Sequence, residues 1–515
     1  MAVDAKSEKL YALVESPKML NNFVQSGGSV LQGIYVSKNG DPAGPYTKVA
    51  EGRKLAQSGS ALKLFIGYNP GVQAWYNQVI GVDPADADHV YVGLEEVFET
   101  TDGGTSWNTI GPYWNFGFAC WSFDPSKNTC PDTTHPDQHA IAFGDGEVFV
   151  GNDGGIWSRN TSNHEVEGWV DLNASLRTLQ YYYAGAGKVA GGDAVWGGLQ
   201  DNGESLIAPG FSKIVSPFGG DGGDTLVDPN NGDRAVVEYV DLDMALTTNG
   251  GRSDGTTAAF IEISPSCFAF TYTPSPCDPN ARFIAPFRAD LKSIDHWVAG
   301  GQYVWDNQGK GWDTRCSASA CDWKIVYNTG QSHSTTAIGV SGTVTYAAWC
   351  GPVGCNPAQS STTGAGFSRG IATNISGTWK ELDTGSLPRR YVNSLVVDPA
   401  DSAHVYAVFG GFSRHWVPNA GVGHVFESKN GGASWTDISG NLPDAPANDL
   451  VIINGKLVLA TDIGAFIASA ATPTAWSRFG TGLPNSAIYD FSLGSDATYI
   501  IAATHGRGLW KISAP

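Results

Sequence analysis

The stretch "VFETTDGGTSW", residues 97–107, returns almost letter for letter as "VFESKNGGASW", residues 425–435. Each copy predicts a strand, a tight turn at two glycines and a second strand that opens at a tryptophan. In such a hairpin glycine supplies the positive φ, and the Asp or Asn side chain accepts hydrogen bonds from nearby backbone N–H groups. Two near-identical hairpins so far apart indicate that one supersecondary unit is repeated along the chain.

A second phrase extends the repeat beyond the hairpin. It reads "GVDPADADHVYVG" from Gly81, "LVDPNNGDRAVVEY" from Leu226 and "VVDPADSAHVYAV" from Val396. This phrase predicts a strand, an Asp-Pro turn and a second strand, which precede a third strand and the Gly-Gly turn. Four antiparallel strands per repeat are the unit of a propeller blade.

Such repeats fill the chain without a linker or a break in composition. The 65 glycines, the 17 tryptophans and a charged fraction of 16% fit turn-dense β-structure better than long helices. The sequence therefore predicts an all-β propeller of four-stranded antiparallel blades, with about ten repeats or alternatively about seven or eight blades. We expect a single propeller domain over residues 1–515, closed by pairing of the incomplete first and last repeats.

The charge balance restricts the partners. With 31 Lys and Arg against 50 Asp and Glu, the formal charge is −19, which disfavours nucleic acid and anionic membrane surfaces. No apolar run approaches the roughly 18 residues of a membrane-spanning helix. We expect a monomer that acts on a polysaccharide or an oligosaccharide, with no nucleic acid and no membrane as partner.

The eight cysteines fall into four pairs that are close in the sequence. An even number of cysteines in local pairs suits loop-stapling disulfides formed in an oxidising compartment, and none of the pairs has the spacing of a zinc site. Buried free thiols are the alternative. We expect a secreted, extracellular protein, and since the start "MAVDAKSEKL" lacks a signal segment, we expect that segment to be absent from this sequence. The predicted disulfides are Cys120–Cys130, Cys267–Cys277, Cys316–Cys321 and Cys350–Cys355.

The repeated hairpins carry a family resemblance. "TTDGGTSW" and "SKNGGASW" resemble the Asp box of sialidase-type (BNR repeat) proteins, S/T-x-D-x-G-x-S/T-W, with Asn430 in place of Asp in the second copy. The wider pattern resembles bacterial secreted propeller proteins labelled glycosyl hydrolase, distantly like xyloglucanases and sortilin-type propellers. That pattern includes "NDGGIW" from Asn152, "GGLQDNGESL" from Gly197, "GGDGGD" from Gly219 and "ATHGRGLWKI" from Ala503.

The resemblance implies a propeller built with Asp-box hairpins, and it implies polysaccharide degradation less directly. Asp boxes lie on outer hairpins and serve folding in enzymes and receptors alike, so Asp102 and Trp107 are not expected to be catalytic. A sialidase is not expected either, because the early Arg-Ile-Pro motif of that family does not occur here.

Candidate functional residues are those that the repeat places where the blades converge. In a propeller the first strand of each blade lines the central channel, and the segments that enter it form one face together with the turns between the second and third strands. The catalytic candidates on this face are Asp221, Asp224, His139 and His505. The substrate-binding candidates are Arg177, Asp153, Asp201, Asn202, Tyr181, Arg282, Arg390 and Asp462.

Three functions fit these residues. A glycoside hydrolase that cleaves a plant or microbial polysaccharide would use two carboxylates from Asp221, Asp224, Asp153 and Asp201. A polysaccharide lyase acting by β-elimination at a uronosyl residue such as glucuronate would use His139 or His505 as base, with Arg177, Arg282 or Arg390 on the carboxylate. The third is a non-catalytic propeller that binds carbohydrate or protein. We expect the hydrolase, with no cofactor and no metal ligands assigned, although a structural Ca²⁺ at "GGDGGD" and a metal on His135 and His139 stay open.

Overall fold

The computed structural model describes residues 1–3, 8–22, 27–113, 133–252, 259–290, 293–352, 367–413 and 421–515. The chain divides into two compact units, residues 1–177 and residues 178–515. This division does not test the single propeller domain expected over residues 1–515, which stays a prediction. None of the helices in the described ranges is long and apolar enough to cross a membrane.

In its described part, the unit of residues 1–177 contains three four-stranded antiparallel sheets. The strands follow one another in each sheet in chain order, so each sheet is a meander. The strands of the first sheet are β1 Ala2–Val3, β2 Leu10–Glu15, β3 Leu31–Ser37 and β4 Thr47–Ala50; those of the second are β5 Val79–Val82, β6 Val90–Gly93, β7 Val97–Thr100 and β8 Asn108–Gly111; those of the third are β9 Gln138–Gly144, β10 Glu147–Asn152, β11 Gly155–Asn160 and β12 Val170–Asp171. Helices in this unit are short: α1 Pro17–Leu20, α2 Gly52–Leu55, α3 Ala61–Phe65 and a 3₁₀ turn at Asn173–Ser175.

The described part of residues 178–515 contains seven further meanders, six of four strands and a last one of three. The first three sheets comprise β13 Tyr181–Val189, β14 Gly192–Leu199, β15 Gly203–Ile207 and β16 Val215–Phe218; β17 Thr225–Asp228, β18 Asn231–Glu238, β19 Met244–Thr247 and β20 Ile261–Glu262; β21 Phe287–Asp290, β22 Ser293–Gly300, β23 Tyr303–Asp306 and β24 Lys324–Asn328. The next two comprise β25 Ser334–Ser341, β26 Val344–Pro352, β27 Phe367–Thr373 and β28 Lys380–Glu381; β29 Val392–Asp398, β30 Asp401–Phe409, β31 Val425–Ser428 and β32 Thr436–Asp437. The last two comprise β33 Ala447–Ile453, β34 Lys456–Thr461, β35 Gly464–Ser469 and β36 Thr472–Phe479; β37 Ile488–Leu493, β38 Tyr499–Thr504 and β39 Gly508–Ser513. A 3₁₀ turn lies at Gly311–Asp313.

The predicted fold class is confirmed: the chain is all-β, and its blades are antiparallel sheets, ten of them among the described residues. A middle strand is buried on both faces where its sheet is packed between two others; all six residues of β38 are buried, for example. Outer strands alternate, as in β36, where Trp476 is buried and its neighbours are exposed. Tyr406, Leu459 and Trp476 fill the space between two successive sheets. Each such side chain contributes about 1.5–3 kcal/mol on burial.

The seven sheets of residues 178–515 close into a ring. First strands lie side by side from β21 through β25, β29 and β33 to β37, and β13 packs against both β17 and β37. Asp224, which precedes β17, accepts a hydrogen bond from the Phe287 N–H of β21. At this junction Asp490 accepts a hydrogen bond from the Ala184 N–H at 3.2 Å, and Tyr181 and Tyr499 share one buried cluster. Among the blade numbers left open by the sequence, seven is therefore the size of this ring.

The expected pairing of the first and last repeats is wrong. Strand β1 pairs with β2, with Ala2 opposite Tyr11, and β37 to β39 form a sheet of their own in the described residues. The ring of residues 178–515 closes instead by the packing of Tyr181 with Tyr499 and by the hydrogen bond from Ala184 to Asp490.

The two repeated hairpins have the same hydrogen bonds. In the first, the Thr100 hydroxyl accepts from the Gly104 N–H at 2.9 Å, and Asp102 accepts from the Ser106 N–H at 2.8 Å. In the second, Ser428 accepts from Gly432 N–H at 2.8 Å and Asn430 accepts from Ser434 N–H at 2.9 Å. The side chain therefore closes the turn whether it is Asp or Asn.

A third turn of this kind, which the sequence reading overlooked, connects β19 to β20. The Thr247 hydroxyl accepts from the Gly251 N–H at 2.9 Å and donates to Asn249 at 2.9 Å. Its sequence "TTNGGRS" lacks the final tryptophan of the Asp-box pattern. The sequence pattern therefore did not predict this turn.

We expect Asp102→Asn to be nearly neutral for stability, because Asn430 holds the equivalent turn through the same acceptor atom. Asp102→Ala removes the acceptor of the Ser106 N–H and hydroxyl groups, and it should cost about 1–2 kcal/mol of the free energy of unfolding. Urea denaturation of the two variants and the parent measures this. Equal losses in both variants would show that the carboxylate charge, rather than the acceptor, stabilises the turn.

Two of the four predicted disulfides are confirmed, Cys267–Cys277 and Cys316–Cys321. Cys350 is also disulfide-bonded, and its predicted partner Cys355 lies outside the described residues. Cys120 and Cys130 lie outside them as well, so the bond between these two cysteines stays a prediction.

Candidate functional site

Several innermost strands of residues 178–515 begin with a β-bulge. The register shifts between Tyr181 and Tyr183 in β13 and between Ile488 and Asp490 in β37. Equivalent shifts at the starts of β29 and β33 insert Asn393 and Asn448. A bulge leaves one residue unpaired and re-aims its side chain. The ends of these strands, with the bulged residues Tyr182, Asn393, Asn448 and Tyr489, form the mouth of the ring.

An aromatic stack lies at the mouth. The Tyr489 ring stacks on His505 with centroids 4.5 Å apart and on Tyr182 at 6.1 Å. Tyr182 and His505 are themselves 5.8 Å apart. Burial lowers the pKa of His505, which favours a neutral imidazole in this stack. All three residues are partly exposed.

Two carboxyl groups lie beside the stack. Asp221 accepts a hydrogen bond from the Asp201 N–H at 3.0 Å, and Asp201 adopts a φ of 60° in the turn between β14 and β15. Burial raises the pKa of Asp221, and the hydrogen bonds from Asp201 only partly oppose this. Burial, Tyr489 and these two carboxyl groups together raise the pKa of Tyr182 to about 12. Tyr182 therefore connects the stack to the carboxyl pair.

A second aromatic group lies on the β17–β20 sheet and its loops. The rings of Tyr239 and Phe270 are 5.1 Å apart, and Phe270 is 70% exposed. Burial raises the pKa of Tyr239, and Asp221, Asp243 and Asp201 add to the effect. The carboxyl pair is thus near Tyr239 as well as near Tyr182, and each of these tyrosines contacts further aromatic rings.

The bulged asparagines tie neighbouring sheets together at the mouth. Asn393 donates to the Ala447 carbonyl at 3.0 Å, and Asn448 donates to the Ile488 carbonyl at 2.9 Å. Asn448 also donates to the exposed Asp462 at 3.0 Å. These contacts hold the strand ends in register around part of the mouth and orient Asp462 beside them.

Below the mouth, three carboxylates clamp the innermost strands. Asp224 is 2% exposed, accepts from the Phe287 N–H at 3.2 Å and pairs with Arg288. Asp449 accepts from the Phe491 N–H at 3.1 Å, and Asp490 accepts from Ala184 as described above. Each carboxylate thereby bonds the backbone of the next blade.

Arg288 is the cation of this cluster. Its burial opposes the charge, but Asp224, Asp490 and Asp449 around it raise its pKa. Burial raises the pKa of each of the three carboxyl groups, and Arg288 opposes that effect. Its guanidinium also lies 5.1 Å over the Tyr183 ring. The cluster is an inter-blade clamp, and the geometry favours Asp221 over Asp224 as a group that meets substrate.

Other candidates from the sequence have mainly structural contacts. Tyr181 is buried, and its hydroxyl lies 2.9 Å from that of Ser205. Arg390 is buried and donates to the carbonyls of Gly410 and Gly411 at 2.9 Å each, and burial lowers its pKa to about 10. The Arg282 guanidinium lies 4.9 Å over the Tyr391 ring, and the Asn202 side chain donates to the Gln200 carbonyl at 3.1 Å.

The candidates in residues 1–177 form a group of their own. His139 Nε2 lies 2.7 Å from Asp153, and the Tyr76 hydroxyl donates to the same carboxylate at 3.0 Å. The exposed Trp75 ring is 5.9 Å from Tyr76. His135 is buried with its ring against Trp157, so it does not join His139 in this group. Arg177 is exposed at the end of the unit.

The sequence reading missed the aromatic residues Tyr182, Tyr489 and Tyr239. One signal was available for Tyr489: "YD" at 489–490 stands at the same repeat position as "ND" at 448–449.

No family model and no curated protein matches this chain. One solved structure that it is similar to is described as YCF48 bound to D1 peptide. The two chains are 12% identical with a TM-score of 0.43, over 66% of this chain and 94% of that one. That likeness is too distant to assign a function, and the fold assignment rests on the sheet order of this chain.

The buried carboxyl groups give a pH prediction. Burial raises the folded-state pKa of Asp490 well above its ordinary value and that of Asp243 to about 7. A raised carboxyl pKa means that the folded state binds more protons, so this stability is complete below the unfolded pKa, about 3.9, and is lost as pH rises through the folded pKa. We therefore expect the free energy of unfolding to fall between about pH 4 and pH 7, by up to about 1.4 kcal/mol per pH unit for each group.

Urea denaturation across this range measures the slope. Asp490→Asn keeps an oxygen for the Ala184 N–H and removes the titration, so it should flatten the curve. The exposed Asp496, whose pKa is lowered by its hydrogen bonds to Thr498, provides the control: Asp496→Asn should leave the slope above pH 4 unchanged. A parent protein whose stability rises with pH over this range would contradict the assignment.

Proposed function

We propose that this chain binds a neutral polysaccharide or oligosaccharide at the mouth of the ring and hydrolyses a glycosidic bond there. The observation that carries the proposal is the carboxyl pair Asp201 and Asp221 beside the stack of Tyr182, Tyr489 and His505. Flat apolar ring faces with a few convergent polar groups suit a bound sugar. Glycoside hydrolysis requires a general acid, for which Asp221 is the candidate, and a second carboxyl group about 5–9.5 Å away on the other side of the scissile bond.

The two carboxyl groups are suited to different tasks. Burial raises the pKa of Asp221, which suits it to serve as the general acid that protonates the leaving oxygen. Asp201, in the adjoining turn, hydrogen-bonds to Asp221 and orients it.

The charge around the mouth favours hydrolysis of a neutral sugar over β-elimination at a uronate. Asp462 is an exposed carboxyl group at the mouth, and it would repel a substrate carboxylate. The lyase candidates Arg282 and Arg390 contact Tyr391 and backbone carbonyls instead. We also propose a secreted monomer, which is supported by the disulfides Cys267–Cys277 and Cys316–Cys321, and a place among the Asp-box glycosyl hydrolases, which is supported by the geometry of the repeated hairpins.

A panel of neutral and uronate-containing polysaccharides tests the proposal. Hydrolysis releases reducing ends without a new chromophore, whereas β-elimination also creates an unsaturated product that absorbs in the ultraviolet. We expect reducing ends from a neutral substrate and no absorbance. Absorbance with a uronate substrate would establish the lyase instead. Binding that Tyr489→Ala abolishes, without any cleavage, would establish a non-catalytic binding propeller.

A further inference from the structure

Two histidines and one glutamate meet between the second and third sheets of residues 1–177. His89 Nε2 lies 2.8 Å from one oxygen of Glu99, and His164 Nδ1 lies 3.1 Å from the other. One ligand atom from each of the three residues lies within 4.8 Å of the other two. His89 and Glu99 are buried, whereas the His164 side chain is 47% exposed. The group is therefore open to solvent on one side.

A fourth residue orients His89. The carboxylate of Asp83 lies 3.2 Å from His89 Nδ1, on the ring nitrogen opposite to the one that faces Glu99. Metal-bound histidines usually donate their second ring N–H to a carboxylate, which fixes the tautomer and the ring orientation. With its proton on Nδ1 facing Asp83, His89 has its lone pair on Nε2, and that lone pair points at Glu99 and His164.

The second copy of the repeat contains the same side chains except His164. His404 lies 3.1 Å from Asp398 and 2.8 Å from Glu427. The Tyr406 hydroxyl donates to Glu427 at 3.3 Å. Asp, His, Tyr and Glu at these positions thus form a structural network of the blade, and the second copy shows it without a third ligand.

The first copy departs from that network at its tyrosine. Tyr91, the counterpart of Tyr406, has a fully buried hydroxyl with no hydrogen-bond partner in the described part of the chain. Glu99 hydrogen-bonds to His89 and His164, and the hydroxyl is left unsatisfied beside it. Glu427 of the second copy contacts one histidine, whereas Glu99 contacts two, His89 and His164.

The loop that carries His164 is held in place by a buried arginine. Arg159 donates to the Glu165 carbonyl at 2.6 Å and to the Asn163 carbonyl, on either side of His164. Its guanidinium lies 5.2 Å over the Trp169 ring. These bonds fix the backbone on both sides of His164 and so pre-position its imidazole. A set of metal ligands requires such pre-positioning, whereas a chance surface contact does not.

We propose that His89, Glu99 and His164 bind a divalent transition-metal ion such as Zn²⁺ through His89 Nε2, one Glu99 oxygen and His164 Nδ1. Zn²⁺ takes nitrogen ligands at about 2.0–2.1 Å and carboxylate oxygens at about 2.0–2.2 Å, which puts tetrahedral ligand atoms about 3.4 Å apart. The observed separations reach that geometry with small side-chain movements. Two imidazoles exclude the oxygen-preferring Ca²⁺ and Mg²⁺. Water completes the coordination on the exposed side.

The test uses the full chain, freed of metal by a chelator and titrated with Zn²⁺ against a chromophoric competitor. We expect one tight equivalent per chain, and bound Co²⁺ should give visible absorption bands that report nitrogen and oxygen ligation. His164→Ala and Glu99→Gln should each weaken binding by at least about 100-fold, because each removes a direct ligand, a larger change than the roughly 10–100-fold of an outer-shell partner. His404→Ala, in the copy without the third ligand, should leave the affinity unchanged.

His164→Ala is the decisive variant because its side chain is half exposed and its loss should leave the fold intact, which circular dichroism checks. Unchanged zinc affinity in His164→Ala would overturn the site, and so would equal weakening by His404→Ala. Absence of a stoichiometric equivalent in the parent protein would overturn it too. This outcome is independent of the saccharide site, because none of the three residues lies in residues 178–515.

Discussion

Arg288→Met should lower the free energy of unfolding at neutral pH by about 3–5 kcal/mol, the usual cost of leaving a buried ion pair without one partner. Arg288 pairs with Asp224 and also offsets the charges of Asp449 and Asp490. Methionine fills much of the volume and removes the charge, so the carboxylates are left unneutralised. Denaturation in urea at neutral pH measures the loss.

The same variant should lose far less at about pH 4. Without Arg288 the pKa values of the three carboxyl groups rise further, so the groups are protonated at that pH and the missing charge matters little. Arg282→Met is the matched control, since that guanidinium lies over the Tyr391 ring, and it should cost no more than about 1 kcal/mol. An equal loss for Arg288→Met at both pH values would mean that packing, rather than charge, is the cause.

Asp221→Asn should lower kcat on a verified substrate by about two to four orders of magnitude, the typical contribution of a positioned general acid. Asparagine can still accept the Asp201 N–H at the position where Asp221 accepts it, so the fold should be unaffected. Initial rates and thermal unfolding, measured on the same preparation, separate the two effects.

Asp462→Asn is the matched control for this variant, because Asp462 is an exposed mouth carboxylate that hydrogen-bonds to Asn448. It should change kcat by less than about 10-fold, as expected for a group outside proton transfer. Full activity in Asp221→Asn would remove Asp221 from the mechanism. A comparable loss in Asp462→Asn would move the general acid to the sheet of β33 to β36.

The blade structure was predictable because it is local. Gly-Gly turns with an Asp or Asn acceptor and strands of apolar residues are encoded within about 50 residues, the length of one repeat. Ring closure was not predictable, since it depends on Ala184 meeting Asp490 from the opposite end of the unit. Every repeat has the same strand pattern, so the sequence of a single repeat does not indicate where the ring closes.

The three successive tyrosines 181–183 show why the site was only partly predictable. The sequence reading selected Tyr181, but the bulge in β13 buries Tyr181, leaves Tyr182 at the mouth and sets Tyr183 against Arg288. A bulge shifts the alternation of side chains by one residue, and no residue type in "YYY" marks its position. The same difficulty applies to Asp221 and Asp224, which occupy similar glycine-rich surroundings and end at different depths.

The bulges have a consequence for how such a protein can diversify. Tyr182, Asn393, Asn448 and Tyr489 are residues added to their strands, and they do not belong to the paired register that packs each sheet on its neighbours. Asn393 and Asn448 also hold neighbouring strand ends together, but changes at Tyr182 and Tyr489 would alter the surface that the mouth presents while the register of the sheets is retained. Selection can therefore act on recognition at a small cost in foldability, and related chains should differ at these positions more freely than at the clamp carboxylates beneath them.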